Sequence, residues 1–375
     1  MRIGFDAKRA FFNQSGLGNY SRTLISQLCT LFPENEYFLF SPKNPVANEI
    51  FPPLNSTLIK PSRFLNKKFP SIWRSAYMGS DIKRNNIEIF HGLSNELPSN
   101  IKKSNARSVV SIHDLIFLRY PDLYKRMDRA IYKSKFQRSC IQADAVVAIS
   151  EQTKSDLIQF FNIEPSKIHV IYQACNSLYY EHSGNELKIK TRQKFSLPEK
   201  YMLYVGTIEE RKNLLQLIKA KHEHRISLPL VVIGRPTPYF EKVKDYISHN
   251  SVTDIIFLKN VMPTDIPTIY QMAELFVYPS SFEGFGIPIL EALNSGTPVI
   301  TGKGSCLPEA GGPNSIYVDP MDIDEIADSI IRILDNKELR NAMIAEGYKH
   351  ALLFREDRTA KEIMKLYNNL IQNKK

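Results

Sequence analysis

The chain has 375 residues, too many for one ordinary core and suited to two domains of about 150–200 residues each. Hydrophobic residues make up 43% and charged residues 23%, a globular mix that excludes collagenous or long disordered sequence, and no run of about 18 apolar residues suggests a bilayer span. The net charge of +10 lies wholly in residues 1–180, where 24 Lys+Arg face 14 Asp+Glu; the remainder carries 25 of each.

Arg2–Asp6 reads as a first strand. Its Met-Arg-Ile-Gly-Phe-Asp start has no apolar stretch behind a basic residue, so no signal peptide is expected. Gly16 and Gly18 then open a helix running through Tyr20–Leu31; Ser21 stands where a third glycine would complete a dinucleotide fingerprint. Further strands are expected at Glu36–Phe40, Glu88–Phe90, Ser108–Ile112, Ala145–Ala148 and Lys167–Ile171, with helices at Lys125–Ala143 and Ser150–Phe161, the latter opened by an approximate capping box. Basic residues crowd two segments of this half. One holds Lys60, Arg63, Lys67, Lys68, Arg74, Lys83 and Arg84 among Phe64, Phe69, Trp73 and Tyr77. The other holds Arg119, Lys125, Arg126, Arg129, Lys133, Lys135 and Arg138. Such segments suit anionic lipid headgroups or diphosphates, or form a solvated face. No nucleic-acid-binding signature accompanies them, so nucleic acid is not expected as a partner.

The polar stretch Leu178–Lys200, with Ser183-Gly184-Asn185, reads as a linker. A second alternating series follows. Its strands are expected at Tyr201–Val205, Leu230–Ile233, Ile255–Phe257, Leu275–Tyr278, Val299–Thr301 and Ile316–Val318. Its helices include Leu214–His222, Thr264–Met272, Pro288–Asn294, Ile323–Asp335 and Lys337–His350. Strands alternating with helices predict two successive Rossmann-like α/β halves, each binding ligands at the carboxyl ends of its strands. The four cysteines, Cys29, Cys140, Cys175 and Cys306, lie far apart with no CxxC spacing, which argues against a zinc site and a disulfide framework and for a reducing, cytoplasmic setting.

Residues 279–298 read PSSFEGFGIPILEALNSGTP. A strand ends, a glycine-rich turn follows, and Pro288 opens a helix, where its missing N–H costs nothing. The glycines allow close backbone approach and the helix start offers N–H groups and positive dipole to an anion. Glu283 sits at the turn, where it can accept from sugar hydroxyls; Glu291, a turn into the helix, can hold a ribose diol.

This string resembles the Glu-x7-Glu signature of retaining glycosyltransferases of family 4, which have the GT-B fold. The resemblance spans nearly the whole chain. Tyr204–Leu214 (YVGTIEERKNL) resembles the family's diphosphate-gripping loop, Ser108–Leu115 (SVVSIHDL) its strand ending in an active-site histidine, and Ser15–Tyr20 (SGLGNY) its N-terminal glycine loop. The tail FREDRTAKEIMKLYNNL resembles the last helix, which crosses back to the N-terminal domain. The resemblance implies an α/β GT-B fold of two Rossmann-like domains facing across a cleft. The first would be an acceptor-binding domain at 1–180, completed by helix 356–375; the second a nucleotide-sugar domain at 181–355.

It further implies that Glu283 contacts the donor sugar and that Gly284, Phe285, Gly286 and Ile287 bind sugar and phosphate through their backbone. Glu291 would hold the ribose, Arg211 and Lys212 beside Gly206 would face the diphosphate, His113 would touch the transferred sugar, and Gly16 and Gly18 would lie near the phosphates. Asp114 would orient His113 or bind acceptor, and His91 would be structural or acceptor-side. Thr207 replaces an arginine found in some relatives, Tyr172-Gln173-Ala174-Cys175-Asn176 replaces a glycine-containing string, and Leu258–Val261 lacks a glycine common near the base pocket. No metal or other cofactor is expected: two fixed cations can stabilise a departing diphosphate, and the carboxylates at Asp319, Asp322 and Asp324 precede a helix, where capping explains them.

VGTIEERKNL and IHDLIF resemble mannosyltransferases of surface-polysaccharide assembly. They imply a GDP-mannose donor and a glycan or lipid-linked saccharide acceptor; the cysteines point to the cytoplasm, and the basic N-terminal half suits peripheral attachment to the inner membrane face, with a solvated face as the alternative. UDP-sugar-dependent transfer, a nucleotide-sugar epimerase of similar architecture, a glycogen-synthase-like or sugar-phosphate synthase, and a non-catalytic binding protein are the alternatives.

Overall fold

The computed structural model describes residues 1–13, 16–43, 51–62 and 68–372. Ser15 of the glycine loop and Arg63, Phe64 and Lys67 of the first basic segment lie outside the described residues. The chain forms two compact units, Met1–Ala174 with Glu356–Lys375, and Cys175–Arg355.

The first unit is built on β1 (Arg2–Asp6), β2 (Glu36–Phe40), β3 (Ser56–Ile59), β4 (Ile89–Gly92), β5 (Arg107–Ile112), β6 (Ala145–Ala148) and β7 (Ile168–Val170). They form one parallel sheet in the order β3-β2-β1-β4-β5-β6-β7, with Phe5 of β1 level with His91 of β4. Both faces are buried, so the strands read as continuous apolar runs rather than alternating ones. Successive residues nevertheless serve opposite faces. Leu39 and Val109 join one core cluster, while Phe40 and Val110 join the other. The first cluster is covered by the helix Gly16–Leu31 through Leu24 and Leu28, and by the C-terminal helix Glu356–Gln372 through Ile363 and Tyr367. In that last helix Thr359, Ala360, Ile363, Met364 and Tyr367 fall on one stripe at three- and four-residue spacing, which is why the tail docks on this sheet. Gln27 Nε2 donates to Glu356 Oε2 (2.8 Å) and Thr359 Oγ1 to the Tyr172 carbonyl (3.0 Å), tying down its first turn.

The second unit carries β8 (Met202–Val205), β9 (Leu230–Ile233), β10 (Ile255–Leu258), β11 (Leu275–Tyr278), β12 (Val299–Gly302) and β13 (Ile316–Val318), parallel in the order β10-β9-β8-β11-β12-β13. The order reverses between neighbours β8 and β11. The loops leaving their carboxyl ends diverge there and open a crevice, the usual ligand position in such sheets.

Three departures from the sequence expectations have physical causes. The stretch Leu178–Lys200 is not an unstructured linker: it contains a helix, Asn185–Phe195, that buries only Thr191 and so shows little apolar periodicity. The strand Ser56–Ile59 was not anticipated; it is a partly exposed edge strand. The helix Tyr239–His249 was also not anticipated; among its residues only Val243 is buried.

Candidate active site

The loop after β8 runs from Gly206 through the short turn Glu210–Lys212, and the loop after β11 runs from Pro279 to Gly286. They are stitched together. The Ser281 N–H donates to the Arg211 carbonyl (2.9 Å), and Asn213 Nδ2 donates to the Pro279 carbonyl (2.9 Å) and Ser281 Oγ (2.7 Å). The switch point of this sheet is therefore a rigid pair of loops, and it gathers Gly206, Arg211, Lys212 and Glu283.

Glu283 is the centre of the cluster. Its Oε1 accepts from Tyr278 OH (2.6 Å) and Ser280 Oγ (3.0 Å), lies 2.9 Å from Arg211 Nη1, and has Lys212 Nζ at 3.8 Å. Burial opposes its ionisation, but the charges of Lys212 and Arg211 and the hydrogen bonds from Arg211 and Tyr278 outweigh burial and hold its pKa at about 2. It is thus a carboxylate at neutral pH, able to accept hydrogen bonds but not to act as an acid.

Arg211 is committed to the protein. It pairs with Glu209 (2.6 Å) as well as Glu283 and donates to the Phe282 carbonyl. Burial disfavours its charge, yet these carboxylates raise its pKa further above the ordinary arginine value. Lys212 is held more loosely, 4.0 Å from Glu209, with its ammonium 5.5 Å from the centre of the Tyr278 ring and packed beside Gly206. Of the two expected cations, Lys212 is the one with donor capacity to spare.

Gly284, Phe285 and Gly286 carry the chain from Glu283 into the helix Ile287–Asn294. Gly286 has φ 119°, a conformation that L side chains rarely adopt, and a Cβ there would press on Ile289 and Ala310. Pro288 lies in the first turn and no side chain among the described residues caps the helix, so its N-terminal dipole is able to meet an anion. Ser305 Oγ donates to the Glu283 carbonyl (2.8 Å), and the Cys306 thiol contacts the Phe285 carbonyl (2.9 Å), fixing the turn from below. Glu291 is one turn on. It accepts from Tyr270 OH (3.2 Å), and the Tyr179 phenol stands beside it. Desolvation lifts its pKa to about 7 despite both phenols, with no cation among the described residues to offset it.

In the first unit His113 follows β5. Its Nε2 meets the Leu93 carbonyl at 2.9 Å and its Nδ1 meets Gln173 Nε2 at 2.7 Å. A carbonyl can only accept, so Nε2 carries the proton and Nδ1 accepts from the amide. Burial lowers its pKa to about 4, and the ring is neutral. Asp114 Oδ1 accepts from the Ile116 N–H (3.1 Å) in a local turn. His91 is wholly buried, between Tyr367 OH (2.6 Å) and Ser111 Oγ (2.8 Å). Gly18 is packed so tightly that a Cβ would lie 1.8 Å from the Asn13 carbonyl, whereas among the described residues nothing lies within 4 Å of a Cβ placed at Gly16.

Sequence reasoning missed Gln173, Tyr179 and Tyr270, which hold His113 and Glu291 in place. Gln173 belongs to the Tyr172–Asn176 string noted for lacking a glycine; the tyrosines gave no signal because their partners are remote in sequence. Asp322, expected as a cap, does accept from the Asp324 and Glu325 N–H groups at the start of the helix Ile323–Asp335.

The Glycosyltransferase Family 4 model matches residues 15–176, and the model for glycosyl transferases group 1 matches residues 186–350. The two matches fall one on each unit and together take in most of the chain. The chain belongs to the glycosyltransferases. This glycosyltransferase is 29% identical over 395 aligned residues to O-antigen chain mannosyltransferase B of Escherichia coli, covering 99% of this chain and 100% of that one. Its fold is GT-B. Sucrose-phosphate synthase from Thermosynechococcus elongatus superposes with a TM-score of 0.78 at 19% identity, over 100% of both chains. HepE of Anabaena, solved in complex with UDP-glucose, gives a TM-score of 0.75 at 14% identity, over 98% of this chain and 100% of that one.

Proposed function

We propose that this glycosyltransferase moves mannose from GDP-mannose, with retention of anomeric configuration, onto a glycan or lipid-linked saccharide of O-antigen or related polysaccharide assembly. The observation that carries the donor-site assignment is the convergence of Lys212, Arg211, Glu283 and the uncapped helix Ile287–Asn294 at the β8/β11 switch point. The likeness to O-antigen chain mannosyltransferase B supports mannose and the acceptor class; the complex of HepE with UDP-glucose supports a nucleotide-sugar donor.

In this reading the Lys212 ammonium and the helix N-terminus take up the charge that grows on the departing diphosphate. Arg211 fixes Glu283, which accepts from donor-sugar hydroxyls. The neutral His113 meets the transferred sugar, and Gly16 and Gly18 lie near the phosphates. Glu291 receives the ribose diol. Retention follows from front-face attack, the leaving phosphate accepting the acceptor's proton; double displacement is the other retaining route. No divalent metal takes part, and chelator leaves the rate unchanged.

A thermal-shift panel of nucleoside diphosphates tests the donor: GDP is expected to stabilise most, and stabilisation by UDP without GDP overturns it. Donor turnover with and without acceptor separates transfer from epimerisation, which would convert donor with no acceptor present.

Association with an anionic membrane surface rests on the helix Arg126–Gln142. Its outward face exposes Met127 (77%), Ile131 (46%) and Ile141 (61%). Arg126, Lys133 and Arg138 lie on or beside that face, so exposed apolar side chains stand among basic ones that attract anionic headgroups. Among the described residues no helix is long and apolar enough to cross a membrane. Flotation of the full chain with anionic liposomes at low salt is expected, and its absence refutes this association.

A further inference from the structure

The chain passes between its two units twice, at Ala174–Cys175 and at Arg355–Glu356. On the Cys175–Arg355 side these crossings are fastened to each other. The Cys175 N–H donates to the Phe354 carbonyl (3.0 Å), Tyr180 OH donates to the Cys175 carbonyl (2.6 Å), and the Arg355 guanidinium lies 4.2 Å from the centre of the Tyr180 ring. Nothing in the chemistry described above requires these contacts.

Each crossing then reaches the glycine-rich turn and its helix. Tyr179, four residues after the first crossing, is buried (6% exposed) and stacks edge-on to Tyr270 (centroids 5.8 Å), whose hydroxyl donates to Glu291 Oε2 (3.2 Å), so that the Tyr179 phenol faces the same carboxylate. Phe354, one residue before the second crossing, is 3% exposed and packs its ring on Phe285 (centroids 5.5 Å). Phe285 is the middle of the turn between Glu283 and the helix start. A buried carboxylate keeps one orientation only while its hydrogen-bond donors hold it, and a turn with a glycine at positive φ keeps its shape only while its apolar side chain has a partner.

We propose that Tyr179 and Phe354 are positioning residues of the donor site, Tyr179 orienting the Glu291 carboxylate for a ribose diol and Phe354 backing the Phe285 turn. The inference rests on the donor-site reading above. Its consequence is that the segments joining the two units are part of the nucleotide-binding machinery rather than passive connectors.

The test uses the full chain, with GDP as the probe in calorimetry and donor and acceptor KM from steady-state kinetics. Tyr179→Phe keeps the ring and removes only the phenol. It is expected to weaken GDP binding about 3–10-fold, the usual worth of one ordinary hydrogen bond, and to raise donor KM while acceptor KM stays put. Loss of that donor also moves the pH limb of GDP binding upward, a shift that mere loosening of the fold would not produce. In the Glu291→Gln background, Tyr179→Phe adds little, because its partner carboxylate is gone. Phe354→Leu is expected to weaken GDP binding similarly, and Phe354→Tyr, which keeps a ring against Phe285, restores most of it. Unchanged GDP affinity and pH limb in Tyr179→Phe, when Glu291→Gln binds GDP poorly, overturns this inference and leaves the donor site standing. Unchanged affinity in Glu291→Gln itself overturns both.

Discussion

Arg211 Nη1 lies 2.9 Å from Glu283 Oε1, with the two side chains only 12% and 13% exposed. The pair divides the labour between the adjacent cations. Arg211 neutralises a carboxylate that burial alone would protonate; Lys212, a further 0.9 Å from the same oxygen, retains capacity for an incoming phosphate. Lys212→Met is expected to lower kcat about 10²–10³-fold, the usual cost of removing a charge that stabilises a transition state, and, because Lys212 shares with Arg211 the charge that keeps Glu283 ionised but makes no close bond to it, to lower the melting temperature less than loss of Arg211 does. Arg211→Met strands Glu283 without its closest charge partner, which costs on the order of 3–5 kcal/mol and lowers the melting temperature by roughly 6–20 °C for a domain of this size. Calorimetric melting beside single-turnover rates checks both. Equal destabilisation by the two substitutions contradicts the division.

Glu291 imposes a pH dependence of opposite sign to that of most carboxylates. Its pKa is raised from 4.5 to about 7, so between those values the folded chain holds a proton that the unfolded chain releases. The stability contributed by the protonated form is complete below pH 4.5 and is lost as pH rises to about 7. Glu291→Gln is expected to melt higher than the parent at pH 8 and to differ little from it at pH 4.5. Melting curves of both across that range read the difference directly, and a gap that does not grow with pH excludes the shift. Bound ribose would favour the ionised form, so GDP binding should strengthen as pH rises through 7.

His113 is expected to be a neutral hydrogen-bond donor across the working pH range. With Nε2 at the Leu93 carbonyl and Nδ1 at the Gln173 amide, and with burial lowering its pKa to about 4, the ring gains charge only in acid. Its folded pKa is depressed, so the stability it contributes is complete above pH 6.5 and is lost as pH falls towards 4. Nitrogen NMR of labelled histidine should show an unprotonated Nδ1 and no titration of this ring near pH 6.5. Gln173→Glu places a carboxylate against Nδ1, which favours a proton there and should bring the titration back into the range of pH 6–7. A ring titrating near 6.5 in the parent protein would remove the neutral assignment.

How much of this was legible in the sequence follows from what each feature depends on. Strand β11, the Gly284–Gly286 turn and the helix opening at Pro288 are local, and residues 279–298 announced them. Apart from the partly exposed edge strand Ser56–Ile59, which the sequence did not show, the strands are short runs rich in apolar residues, and their positions came out within a residue or two. Features that rest on remote partners did not show. Arg211 stood in the sequence as a second free cation, and only folding brings Glu209, Glu283 and the Phe282 carbonyl around it. Gln173 looked like a departure from a familiar string, and its function emerges once β5 brings His113 beside it. Helix Asn185–Phe195 hid in a polar stretch because it buries so little.

The docking of the C-terminal helix should depend on one phenol. Tyr367 OH meets His91 Nδ1 at 2.6 Å, His91 Nε2 meets Ser111 Oγ at 2.8 Å, and Ser111 Oγ meets Tyr20 OH at 2.9 Å, all of them buried. Each hydroxyl can donate to one neighbour and accept from another, so the chain of bonds leaves no buried polar group orphaned. It joins the last helix to β4, β5 and the helix that begins at Gly16. Burial, with the nearby His113 ring, lowers the His91 pKa to about 3, so the imidazole cannot charge itself to escape a lost partner at neutral pH. Tyr367→Phe preserves the ring's packing and leaves His91 Nδ1 unsatisfied, at a cost of about 1–3 kcal/mol. Urea unfolding should give an earlier midpoint at unchanged slope, and hydrogen exchange should quicken first in Glu356–Gln372. A substitution without effect on either would mean that the apolar stripe and the bonds of Glu356 and Thr359 suffice to hold this helix.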